Sequence, residues 1–340
     1  MTTLAPGTWL APDAAALVTA HESLLDDDAA ARAFAAEVGR VRAQGRTPVV
    51  VLGPGADTTR AGVARRAELS RAATELADDE GAVWLTGRDP LGAARAAGGG
   101  DVGATLAALH HALLGHGAAA EALRDAGAGV VGTSVHLEVT RAADPGSVHD
   151  LAAAHEVDLV SNHLVLGPLL DGTYPVEARA ATAPAPWDHV RPGDLVAIRR
   201  GLDVLLVEHA GTRTVRRAGG RSGAGGGAAA GGGAGIPADA RGGGPSAPAA
   251  VVRRSDAPGA DDVELVHTAE TPGGRSVDAG GLYEVLTALD NAYLGTPLLA
   301  LVATGTGEVG DGDGLAAHES AARRAAEDGA DVRGIVTVVR

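Results

Sequence analysis

The chain contains no cysteine. That absence excludes disulfides, thiolate metal sites and cysteine nucleophiles together. Lysine is missing as well, so all 28 basic residues are arginines; set against 43 Asp and Glu, they leave a net charge of −15. A surface of that sign repels phosphate backbones and anionic lipid, which argues against nucleic-acid and membrane partners. Long apolar runs are also lacking, with no window near the roughly eighteen consecutive apolar residues of a spanning helix. The opening MTTLAPGTWLAPDAAALVTAHE has no basic region followed by an apolar run. These absences lead to the expectation of a soluble, cytoplasmic protein.

What remains is ample for a core. The 340 residues are 45% hydrophobic, enough for one large α/β barrel or two mid-sized domains. The Ala, Gly and Arg bias is read as a mark of a GC-rich genome and carries no functional weight. Phe34, Val38 and Val41 stand at helical spacing within 27–45, and TPVVVLGPG (47–55) then reads as a buried parallel strand closed by glycine and proline. The alternation continues with a helix at 60–80, a strand at 82–87, a helix at 101–126, a strand at 129–137, a helix at 147–163 and a strand at 202–209. Residues 218–248 are low-complexity Gly, Ala and Pro, which predicts a loop or linker. Beyond them come a strand at 263–267, a helix at 279–293, a strand at 296–304, a helix at 315–328 and a strand at 334–339. Strand-then-helix repeated this often predicts a parallel α/β fold, barrel or open sheet.

The stretch DLAAAHEVDLVSNHLVLGPLLDGTYPVEARA, followed by WDHVRPGDLVAIRRGLDVLLVEHAGTRTVRR, is similar to a known pattern. It resembles the glycoside hydrolase family 1 (β-glucosidase-like) enzymes, whose "N-R-x-F-x-D-P-x-x-x-G-x-Y-P", "V-R-x-G-D-L-x-x-I" and "L-D-F-L-G-V-N-Y-Y" segments fall in register with it. Asn162, Pro168, Gly172, Tyr174, Pro175, Val190, Arg191, Gly193, Asp194, Leu195, Ile198, Leu202 and Asp203 carry the match. Looser agreement comes from the paired histidines of ALHHALLGHGAAAEALRD (108–125), from VDAGGLYEVLTAL (277–289) and from DGADVRG (328–334). The resemblance implies an incomplete TIM (β/α)8-type barrel, one domain formed by 1–217 and 249–340 around the 218–248 segment. Nothing in it matches the family's opening strand, and the chain stops at Thr337-Val338-Val339-Arg340 where the family continues to a Glu-Trp sugar clamp. The resemblance therefore implies truncation at both ends, and two sheet edges that residues 1–25 or a partner chain would have to cover.

Retaining glycosidases use two carboxylates about 5–5.5 Å apart, one as acid/base and one as nucleophile. The family's acid/base motif "W-x-T-x-N-E-P" aligns with Trp84-Leu85-Thr86-Gly87-Arg88-Asp89-Pro90. Asp89 is thus the candidate acid/base, one methylene short; retracting a proton by roughly 1 Å is an error that can cost ~100-fold. Arg88 stands where the family has a sugar-binding Asn. The "I-T-E-N-G" nucleophile position falls on Val302 in one register and Ala303 in the other, so neither supplies a carboxylate; Glu308 is the nearest acid downstream. The sugar-binding "Y-H-W-D" segment reads Gly53-Pro54-Gly55-Ala56, and "N-Y-Y" reads Glu208-His209-Ala210. Aromatic rings, on which a pyranose face stacks, number only seven: Trp9, Trp84, Trp187, Tyr174, Tyr283, Tyr293 and Phe34.

Plainer readings stand beside each of these. An Asp before Pro ahead of a helix is more often a cap than an acid. His110, His111 and His116 lie one, five and six apart, a poor spacing for convergence on a metal, so no metal and no cofactor are expected. Arg88, Glu208 and His209 are candidates for substrate binding, and Glu208-His209 occupies a strand end where barrel enzymes keep their chemistry; the plainer reading is substitution at a site no longer under chemical demand. Gly53-Pro54-Gly55 lacks the Lys and Ser/Thr of a phosphate loop, and Glu308, Asp311 and Asp313 do not follow calcium-loop spacing. The expectation is a glycosidase-like pseudoenzyme in carbohydrate metabolism, whose partner would be a small β-glycoside. The alternative is a non-catalytic binding or scaffold protein on the same barrel.

Overall fold

The computed structural model describes residues 9–53, 58–78, 81–218, 251–254, 263–267, 279–293, 295–304 and 313–339. Residues 219–248 of the low-complexity segment, Glu308 and Asp311 lie outside them. Strands and helices alternate: β1 (Ala15–Ala20), α1 (Asp28–Ala43), β2 (Thr47–Leu52), α2 (Gly62–Ala77), β3 (Val83–Arg88), α3 (Pro90–Gly98), α4 (Val102–Asp125) and β4 (Val130–Ala142). Then come α5 (Val148–Asp158), α6 (Leu164–Leu166) between two π-helical turns, α7 (Val176–Ala181), α8 (Asp194–Ile198), β5 (Val204–Arg217), β6 (Val251–Arg254) and β7 (Val263–His267). The order closes with α9 (Ala279–Ala292), β8 (Leu298–Thr304), α10 (Asp313–Glu327) and β9 (Val332–Val339). No helix among the described residues is long and apolar enough to cross a membrane.

Local sequence explains the elements. Asp27 caps α1 by accepting the Ala29 N–H, and the predicted Phe34, Val38 and Val41 are its buried face. In β2 every residue after Thr47 is buried, as a strand covered on both sides requires. β1, β2, β3, β4, β5, β8 and β9 pair in that order, all parallel. These seven strands make an incomplete (β/α)8-type barrel, one strand short of the usual eight. β7 pairs antiparallel with the far end of β5, and β6 pairs antiparallel with β7.

The seam between β9 and β1 is closed from the N-terminal side. Leu10 bridges Gly334, with its N–H donating to Arg333 O at 2.9 Å and its carbonyl accepting from Ile335 N at 3.0 Å. Five residues later the same stretch has become β1 and pairs with β2. One segment thus touches both edges, β9 through the Leu10 bridge and β2 through β1. Gly334 adopts φ 146°, and a Cβ there would run into the Leu10 backbone, so the close approach depends on glycine.

Strand alternation divides the core. Val49, Val51, Val83, Leu85, Val204, Leu206, Leu299, Leu301 and Val336 fill the barrel interior. Trp84, Val50, Leu52 and Val131 face α1, α2 and α4 instead. The framework residues of the resemblance meet outside the barrel: His110 contacts Tyr174 Oη at 3.0 Å and Asp194 Oδ2 at 2.9 Å, and Arg60 donates to Asp194 Oδ1 at 3.1 Å. They tie α4 to the 174–194 loop, and burial keeps the His110 ring below its ordinary pKa despite the carboxylate.

Candidate functional site at the barrel mouth

Three strands deliver ionisable side chains to one end of the barrel. Arg88 and Asp89 close β3, His136 lies on β4, and Glu208 lies on β5 two residues past the interior-facing Leu206. His136 and Glu208 are direct partners in the β4–β5 ladder. The imidazole stands between two carboxylates, with Nδ1 3.1 Å from Asp89 Oδ2 and Nε2 2.6 Å from Glu208 Oε2. Arg88 Nη2 donates to the same Glu208 oxygen at 2.6 Å. The result is a neutral cluster of two cations and two anions.

Burial and charge pull the titrations apart. Burial alone would lower the His136 pKa, but its contacts with Asp89 and Glu208 outweigh that and raise it to about 9. Burial would raise Glu208, yet His136 and Arg88 bring it down to about 2. Asp89 follows the same logic: the His136 contact and the Gly92 N–H outweigh burial and hold the carboxyl below its ordinary value. At neutral pH the cluster is therefore fully ionised.

Asp89 has a second occupation. It sits at φ 46° and caps α3, with Oδ1 accepting the Gly92 N–H at 2.9 Å. Both carboxylate oxygens are engaged, and neither carries a proton to donate.

The other sequence candidates separate. Arg88 and Glu208 come together as an ion pair; His209, next along β5, lies on the opposite face and packs against Gly281 of α9, where any Cβ would collide with its ring. Glu208 and His209 consequently do not form a pair. Val302 is buried among outer-layer residues, on the strand face away from the interior occupied by Leu299 and Leu301. The alternative register puts the nucleophile position at residue 303, an alanine. His136 was not among the sequence candidates; its signal is the period-two spacing that puts it on the same face of β4 as Gly132 and Ser134. Among the described residues, no group of three or more His, Asp or Glu side chains is placed to hold a metal.

Comparison with known proteins agrees with this framework. The sequence profile of glycosyl hydrolase family 1 matches residues 84–336. A bifunctional beta-D-glucosidase/beta-D-fucosidase of Bifidobacterium breve is 32% identical over 247 residues, covering 67% of this chain and 47% of that protein. A thermostable beta-glucosidase B of Thermobispora bispora is 34% identical over 155 residues, 43% of this chain and 31% of its own length. The chain thus spans about half or less of the curated relatives it matches. Among solved structures, a psychrophilic beta-glucosidase from Micrococcus antarcticus superposes with a TM-score of 0.76 at 22% identity, covering 96% of this chain and 74% of that one. A family 1 b-glucosidase from Thermotoga maritima gives 0.69 at 18% identity, covering 92% and 68%. At those identities the structures share the fold; the profile, spanning most of the chain, carries the assignment. The chain belongs to glycosyl hydrolase family 1.

Proposed function

We propose that this chain is a family 1 barrel whose glycosidase chemistry is impaired, with little or no hydrolysis of β-glucosides. The observation that carries the reading is the double engagement of Asp89. A general acid must hold a proton at working pH, and Asp89 is an ionised helix cap against an imidazolium. The nucleophile side supports the same reading, since Val302 faces the outer layer and Ala303 has no carboxylate to offer. Glu208 is ionised, but its Oε2 is shared by His136 and Arg88, which blunts it as a nucleophile. The ligand class is a small β-glycoside, taken from the named activities of the relatives. We place the protein in the cytoplasm, to be checked by cell fractionation.

Turnover of an activated aryl β-glucoside by purified protein, with and without azide as an external nucleophile, tests the proposal. No release of the phenol in either condition is expected. Release that disappears in Asp89→Asn would restore the acid/base role and overturn it. The second reading is a non-catalytic binder, favoured by the neutral, fully paired cluster at the mouth. It predicts binding of the glucoside without turnover.

A further inference from the structure

Behind β3, on its outer side, a separate cavity of about 70 Å³ lies between the start of α2, the start of α3 and the middle of α4. That is room for a few waters or one small ion. Its polar lining is one-sided: Arg66, Arg88, His111 and His116 contribute, with Thr58, Thr86 and Thr133, and among the described residues no carboxylate lines it. In a chain of net charge −15 such a lining is unexpected.

The polar groups there are not equivalent, and His116, lowered to about 3 by burial and by Arg66, is uncharged at neutral pH. Arg88 is matched by Glu208. Arg66 is largely buried, and its guanidinium donates to the main-chain carbonyls of Gly53, Leu52 and Thr86. These take three of the five N–H bonds a guanidinium offers and neutralise none of its charge. His116, only 5% exposed, contacts Thr86 Oγ1 through Nδ1, while its Nε2 is buried and has no partner among the described residues. An unsatisfied polar atom this deep needs a partner, a water or a small ion being the usual ones. A third feature is independent of both: Gly62 and Val63, in the first turn of α2, line the same cavity, so the positive end of the helix dipole points there although their N–H groups already donate to the Thr59 and Arg60 carbonyls. A helix N-terminus favours negative charge.

We propose that this cavity binds a small tetrahedral oxyanion of the phosphate or sulfate class, held by the Arg66 guanidinium and His116 Nε2 at the N-terminus of α2. In the bound state Nε2–H donates to an anion oxygen and Nδ1 accepts the Thr86 hydroxyl, which otherwise donates to Gly132 O at 3.2 Å. The site is distinct from the Asp89–His136–Glu208 cluster, with Arg88 standing between them, and it does not depend on whether the barrel hydrolyses anything.

Isothermal titration of the full chain with inorganic phosphate, at ionic strength fixed with sodium chloride, tests the proposal. One saturable site per chain is expected. Val63→Glu, which puts a carboxylate into the cavity wall at the first turn of α2, and His116→Phe should each weaken it by about tenfold or more. A buried-histidine variant can fail to fold, so the wild type supplies a second readout: phosphate, and not chloride, should shift the His116 Nε2 resonance in a long-range proton–nitrogen spectrum. Absence of saturable phosphate binding, an unmoved His116 resonance, or binding unchanged in both variants would overturn the proposal. Tighter binding of glucose 6-phosphate than of inorganic phosphate would overturn the free-anion assignment.

Discussion

His136 and Glu208 face each other across the β4–β5 ladder with Nε2 and Oε2 2.6 Å apart, and the opposite nitrogen of the same ring reaches Asp89 at 3.1 Å. This one imidazolium joins carboxylates brought by β3 and β5, and Arg88 adds a second contact to Glu208.

Its contribution to stability therefore follows pH in a definite way. His136 is raised from 6.5 to about 9, so its stabilisation is complete below about 6.5 and is lost as pH rises through 9. Glu208 is lowered from 4.5 to about 2, so its share is complete above about 4.5 and is lost as pH falls toward 2. His136→Phe leaves Asp89 without its cation, while Glu208 keeps Arg88, and should cost about 3 kcal/mol, the loss being largest between these limits. Denaturant midpoints of both proteins from pH 3 to 9.5 measure it; a pH-independent difference would contradict the ion cluster.

Asp89 separates capping from ion pairing by substitution. Asparagine tolerates the left-handed backbone and can still cap α3, so Asp89→Asn loses only the contact with His136. Asp89→Ala loses both and should be less stable than Asp89→Asn by about 1 kcal/mol. Equal urea midpoints would show that the cap is unimportant.

The seam depends on Gly334. In Gly334→Ala the added Cβ meets the Leu10 backbone, and the β-bridge joining β9 to the N-terminal segment should break, leaving the Thr337 hydroxyl on the Pro12 carbonyl. Limited proteolysis should then cut between residues 9 and 14 faster than in the wild type, with a stability loss of about 2 kcal/mol or more. Unchanged cleavage would mean that the segment is held elsewhere.

The framework contact is equally direct. His110→Phe keeps the volume of a fully buried ring but removes its contacts with Tyr174 and Asp194, for an expected loss of about 2–3 kcal/mol in thermal unfolding. Loss of helical signal before the main transition would instead mean that α4 depends on it locally.

Much of the barrel was legible from valine-rich runs and glycine stops: TPVVVL gave β2 and LLALVAT gave β8 because a strand buried on both faces has no polar position to confuse the pattern. β1 was missed: AALVTA is only six residues long and half alanine, although Pro12-Asp13 marks a turn just before it. β4 and β5 proved longer than their apolar cores because Glu138 and Arg213, which read as loop residues singly, form a buried ion pair across the two strands. The site was half legible. Arg88, Asp89 and Glu208 came from motif alignment, whereas His136 joins them only through pairing of distant strands, and His209 points to the other face because one residue along a strand reverses it.

The measurement that most directly tests the loss of glycosidase chemistry is mass spectrometry of the intact protein after incubation with a 2-deoxy-2-fluoro-β-glucosyl fluoride. This reagent carries its own good leaving group and needs only a carboxylate nucleophile to be trapped as a stable glycosyl ester. An unmodified mass is expected, because Val302 is turned away, residue 303 is alanine, and Glu208 is held by His136 and Arg88. A stoichiometric single-sugar adduct, mapped by peptide digestion to any carboxylate at the mouth, would contradict it and return the chain to the working enzymes of its family.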